Sequence, residues 1–185
     1  MGRVDTAVDE GEERAVRRVV VGATGTPGSL AALHRGVAEA RVRGAELWVV
    51  LAWQPPGGDL AGRGQGATQV LAACRTAAVD RLREVLDTAF GAAPPGVPLA
   101  GVAVRGTPGA ALVDTARGPD DLLVVGTGSR APLRRLLRPS VSRYCLAHAA
   151  CAVLAVPPSP LQAELESVHR RNLWRLPLDP RELTT

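Results

Sequence analysis

Gly126-Thr127-Gly128-Ser129 follows the apolar run Leu122-Leu123-Val124-Val125, and Ser140-Val141-Ser142 comes a short way further on. Glycines directly after a strand let backbone N–H groups approach a phosphate, a helix start adds positive dipole, and hydroxyls donate further bonds. Gly22-Ala23-Thr24-Gly25 closes the earlier run Arg18-Val19-Val20-Val21 in the same way. Two strand ends therefore offer the same anion-holding chemistry. Pro139, directly before Ser140, deletes a backbone donor where one is wanted. Arg130, Arg134, Arg135, Arg138 and Arg143 share a stretch without any acid. They form either a solvated arginine-rich loop or a source of guanidinium that meets a phosphate bidentately and replaces lost amides.

Other chemistries fit less well. All 22 basic residues are arginine, which excludes the lysine-bearing phosphate loop, Schiff-base enzymes and the usual protein-kinase layout. Gly126-Thr127-Gly128-Ser129-Arg130-Ala131 formally fits G-x-G-x-x-A. A dinucleotide site would also need the motif to open a helix at once and an acid to end the next strand. Pro132 interrupts the first, and Val156-Pro157-Pro158 fails the second. His34, His148 and His169 have no convergent acid or thiol, so no catalytic residue and no metal site emerge. Cys74, Cys145 and Cys151 are an odd number at irregular spacing; they read as small core residues in a reducing setting. An aromatic content of 3% leaves little to stack on bases, and no nucleic-acid motif is present.

The elements that must position these residues follow from periodicity. With 185 residues, 46% of them hydrophobic, the chain suits one domain. Arg18–Gly22 is a buried strand after a loose tail over 1–16. Thr26-Pro27 caps a helix with Leu30, Leu33, Val37 and Ala40 on one stripe, ending at Gly44. Strands follow over 46–52, 97–104, 121–126 and 151–156. Helices are expected over 68–90 (Val70, Leu71, Cys74, Ala78, Leu82 and Leu86 inward), from the second Thr-Pro cap at Thr107-Pro108 to Gly118, and over 140–149. The order specifies an α/β fold: a single-domain, open five-stranded parallel sheet with helices on both faces. Ligands bind such sheets beyond the carboxyl ends of the strands, where strand order switches. If strands one and four are neighbours, the two glycine ends face one crevice.

These blocks resemble the universal stress protein family over about residues 17–157. Val19-Val20-Val21-Gly22-Ala23-Thr24-Gly25-Thr26-Pro27-Gly28-Ser29 resembles the family's opening V-V-V-G-V-D-G-S-P-x-S. Ala45 to Val50 resembles its second strand, Gly106 to Leu112 its G-D-P-A-x-x-L, and Ser140 to Leu154 its G-S-V-S-x-x-V-x-x-H-A-P-C-P-V-L. The resemblance implies a Rossmann-like domain akin to the adenine-nucleotide alpha hydrolases, a homodimer paired through strand 153–156, and an ATP site of the form G-x2-G-x9-G-[ST] plus an aspartate. On that pattern the residual nucleotide-binding residues are Gly22, Ala23, Thr24, Gly126, Gly128, Ser129, Ser140, Val141 and Ser142. Ser129 and Pro139 stand where glycines belong, and Thr24 where the aspartate belongs. Two lost contacts to charged groups, at roughly 1.5–3 kcal/mol each, weaken binding by on the order of 10² to 10⁴.

The sequence therefore predicts a cytoplasmic, non-catalytic regulatory or stress-protective dimer with weakened or lost ATP binding. The alternative is an adenine-nucleotide sensor using Gly126, Ser140 and Ser142, with slow hydrolysis. No cofactor is required, and ATP is a weak ligand at most. No membrane span and no nucleic-acid partner is expected. Residues 158–185 carry balanced charge and read as a C-terminal extension, either a loosely packed tail or a segment for a protein partner.

Overall fold

A computed structural model describes residues 17–57, 66–91, 93–127 and 140–157. Its elements are β1 (Arg18–Gly22), α1 (Pro27–Arg43), β2 (Glu46–Trp53), α2 (Ala67–Phe90), β3 (Leu99–Arg105), α3 (Pro108–Thr115), β4 (Leu122–Gly126), α4 (Val141–His148) and β5 (Ala152–Val156). All five strands are parallel, in the order β3-β2-β1-β4-β5. Strand order reverses between β1 and β4, where Val19, Val20 and Val21 lie in register with Leu122, Leu123 and Val124. The two glycine ends are thus neighbours, which meets the condition set by the sequence reading.

Alternation along the strands divides the core between two faces. Val19, Val21, Leu47, Val49, Leu51 and Val124 pack under α1 and α2 with Leu33, Val37, Leu82 and Val85. Val20, Val50, Leu123 and Val125 pack under α3 and α4 with Ala111, Leu112 and Cys145. Because both faces are covered, the strands have no polar side and read as continuous apolar runs.

The helix starts differ in detail. Thr26 caps α1 with its side chain, accepting from Ser29 N. Thr107 stands in the same extended conformation before Pro108 but makes no side-chain cap bond, so proline alone sets that start. α3 ends at Thr115, short of the expected Gly118, and β3 begins at Leu99 rather than Val97.

One inward assignment is corrected. Val70 is 47% exposed, and of residues 67–80 only Ala78 is buried. The cause is length: α2 has 24 residues and so extends about 36 Å, whereas β2 has 8 and extends about 26 Å. The first turns of α2 outrun the sheet, and their apolar stripe finds no strand beneath it among the described residues.

Candidate functional site

The tip of β1 is built by local hydrogen bonds. Ala23 N donates to Val50 O at 2.8 Å, tying the tip to β2. The chain then turns through Gly25, whose φ of +72° suits a residue without a β-carbon. Thr24 N donates to Ser29 Oγ at 3.3 Å, and the Thr24 and Thr26 hydroxyls share a hydrogen bond of 2.9 Å. Ser29 Oγ donates in turn to Thr26 O at 2.9 Å. Where a carboxylate would have projected an acceptor, Thr24 presents a hydroxyl engaged with its own turn.

Gly126 meets this turn from the other side. A β-carbon there would lie 2.6 Å from Gly28 O, a backbone atom that cannot swing away. The first glycine of the motif is therefore required for the packing of the β4 tip against the start of α1, whether or not a ligand is held. Gly22 is close to the other face: its β-carbon would lie 3.1 Å from Leu112 Cδ1.

Ser140 caps α4, with Arg143 N donating to its Oγ at 3.4 Å, and shares a hydrogen bond of 2.9 Å with the hydroxyl of Ser142. Ser142 is buried, Ser140 is exposed, and Val141 packs against the second core cluster. Neither α1 nor α4 has an acid in its first turn, so both helix starts keep an uncompensated positive end. Gly128, Ser129, Pro139 and the arginines Arg130, Arg134, Arg135 and Arg138 lie outside the described residues, as do 1–16 and 158–185.

Two side chains that sequence reasoning missed stand at this end of the sheet. The Arg81 guanidinium of α2 lies against the Gly25 turn, with Nη2 2.7 Å from where a β-carbon on Gly25 would be. Nothing in the sequence pairs these positions, which only the packing of α2 brings together. Trp53, at the end of β2, holds a buried Nε1–H that has no acceptor among the described residues. Such an orphan costs roughly 1–3 kcal/mol unless something accepts from it. Its position after an apolar run gave no sign of this.

The arrangement offers amides, hydroxyls and a guanidinium, which suits it to holding an anion. The two histidines among the described residues contact aromatic rings. His34 meets Phe90 edge-on at 6.0 Å, and His148 stacks on Tyr144 at 4.1 Å with Nδ1 2.9 Å from Tyr144 O. No group of three metal-ligating side chains occurs among the described residues. Cys145 is fully buried, and burial, helped by nearby Cys151, pushes its thiol up to about 11. It is a core residue, as its helical position suggested. No helix among the described residues is long and apolar enough to cross a membrane.

Comparison with known proteins completes the picture. The family model described as the universal stress protein family matches residues 15–157. No curated relative matches the chain significantly. Among solved structures, a universal stress protein in complex with cAMP is 28% identical, covers 78% of this chain and 99% of its own, and superposes with a TM-score of 0.50. Universal stress protein UspA from Lactobacillus plantarum is 22% identical over 76% of this chain and 97% of its own, with a TM-score of 0.53. The protein MJ0577 has the same fold at 14% identity, a TM-score of 0.59, and coverage of 77% and 96%.

Proposed function

Because the chain belongs to the universal stress protein family, we propose that it is a regulatory or stress-protective module of the cytoplasm that works by binding rather than turnover, with a weakened hold on ATP. One observation carries this reading: the Thr24 turn uses its own polar atoms, N on Ser29 Oγ and Oγ1 on Thr26 Oγ1. A ligand entering there must displace bonds already made, and it gains no carboxylate in return. Calorimetric titration of the full chain with ATP and magnesium tests it. A dissociation constant above about 100 μM is expected, and low-micromolar binding would overturn it.

The second reading, an adenine-nucleotide sensor, is favoured by the intact Ser140 and Ser142 pair at the start of α4 and by the 28% identical relative solved with cAMP. The same titration decides between them when cAMP is added as a second ligand. Pairing of two copies through residues 153–156 is part of the proposal. β5 is the outer strand, and Val153, Leu154 and Val156 are half-buried along an edge that would otherwise invite aggregation. Residues 17–157 act as the functional domain in this reading, and 158–185 as an extension that recruits a protein partner or packs on the domain.

A further inference from the structure

The corner between the β1 tip and α2 lies outside the glycine motif, yet it gathers hydrogen-bond donors. Arg81 Nη2 and Cζ stand 2.7 and 3.4 Å from the position of a β-carbon on Gly25, with Val85 Cγ2 at 3.2 Å. Nη1 donates to Glu84 Oε2 at 3.0 Å, which orients the guanidinium. Both side chains of that pair are more than half exposed, so the pair adds little stability. The hydroxyls of Thr24 and Thr26 lie on the same turn. Trp53 packs in the cluster under α1 and α2, the face to which Arg81 belongs, and its Nε1–H has no acceptor among the described residues.

This set is rich in donors, and its carboxylate, Glu84, sits exposed on the Arg81 guanidinium. Position 24 is threonine, and the first turns of α1 and α4 carry no acid. A magnesium ion keeps several waters and is held through carboxylates together with phosphate oxygens. A guanidinium beside the turn disfavours that cation and favours a bare phosphate, which it meets with two parallel donors once the exposed Glu84 pair gives way.

We propose that Arg81 is the phosphate-binding cation of the strand-tip cleft. It makes the site select nucleotides whose phosphate carries no metal ion, a nucleoside monophosphate or cyclic monophosphate, over the magnesium complex of a triphosphate. The proposal rests on the nucleotide-binding reading above and names the ligand class for it.

Titrations of the full chain with adenosine, AMP, cAMP and magnesium-ATP, on wild type and Arg81→Gln, test it. Wild type should bind AMP or cAMP more tightly than adenosine, with no dependence on magnesium, and more tightly than magnesium-ATP. Arg81→Gln should lose about tenfold to a hundredfold for the monophosphates, keep its affinity for adenosine, and melt at the wild-type temperature. Arg81→Lys should fall between the two. Equal losses for adenosine and AMP would make Arg81 a brace for the Gly25 turn and overturn the proposal, as would an unchanged AMP affinity. Tighter binding of magnesium-ATP than of AMP would overturn the selection while leaving the nucleotide site standing. A wild-type chain that binds neither adenosine nor any nucleotide would remove the underlying reading, and the proposal with it.

Discussion

The two ends of the sheet handle polar groups in opposite ways. At the amino ends of the strands, Arg18 donates from Nε and Nη2 to the carboxylate of Asp121 at 3.1 and 2.6 Å, across 103 positions of sequence. Gly118 N also donates to Asp121 at 2.9 Å, the Arg18 guanidinium stands over Trp48 at 5.2 Å, and Trp48 Nε1 donates to Glu46 at 3.0 Å. At the carboxyl ends, side-chain bonds join residues two to five apart: Thr24 with Thr26 and Ser29, and Ser140 with Ser142 and Arg143. Long-range pairs tie the fold together, and losing one exposes a partner elsewhere. Short-range pairs only shape a turn, so a ligand can exchange them without disturbing the rest.

The sharpest way to break this contrast is Asp121→Ala. It strands the Arg18 guanidinium, three-quarters buried, and should lower stability by about 2–4 kcal/mol, read as the midpoint of denaturant unfolding. A change below about 0.5 kcal/mol would place that ion pair among the ordinary surface ones. Gly126→Ala comes next. Its β-carbon meets a backbone oxygen, so strain of about 1–3 kcal/mol is expected in thermal unfolding even without ligand. An unchanged midpoint would mean that the glycine serves binding alone.

Thr24→Asp probes the other end. It should leave the melting temperature nearly unchanged, since the bonds it disturbs are local, and strengthen magnesium-ATP binding about tenfold by restoring a charged acceptor. No gain would trace the weak site to another cause. The smallest effect concerns Cys145. Its folded-state pKa is raised, so the neutral thiol it favours stabilises the protein fully below about pH 9, and that contribution fades as pH climbs through about 11. At pH 8 an alkylating reagent should leave Cys145 unmodified in the native protein and label it once denatured. Labelling at the native rate of an exposed thiol would contradict its burial.

Much of the fold was legible because its signals are local. The run Val19-Val20-Val21 and the Thr26-Pro27 cap each declare their element within a few residues. The meeting of the two glycine ends stayed conditional on strand order, which parallel strands with right-handed crossovers do not fix and which the β1–β4 pairing supplies. Val70 shows where periodicity misleads: it marks the face of a helix but not how far the sheet beneath extends. What stayed hidden was contact between distant elements. Arg81 and Gly25 share no pattern, and the packing of Gly126 on Gly28 stayed hidden because Gly28 has no side chain to announce the contact. Arg18 and Asp121 likewise read as ordinary charges at strand starts until β1 and β4 lie side by side.

The fit of Gly126 against Gly28 has a mechanical corollary. Immediately beyond it, Thr127 N donates to Val156 O at 2.9 Å, at the far end of the outermost strand. The opening of the first helix, the fourth strand's tip and the terminus of the fifth are thereby threaded in series without a flexible link. A push on that helix opening therefore has a direct route along this row toward the rim of the molecule.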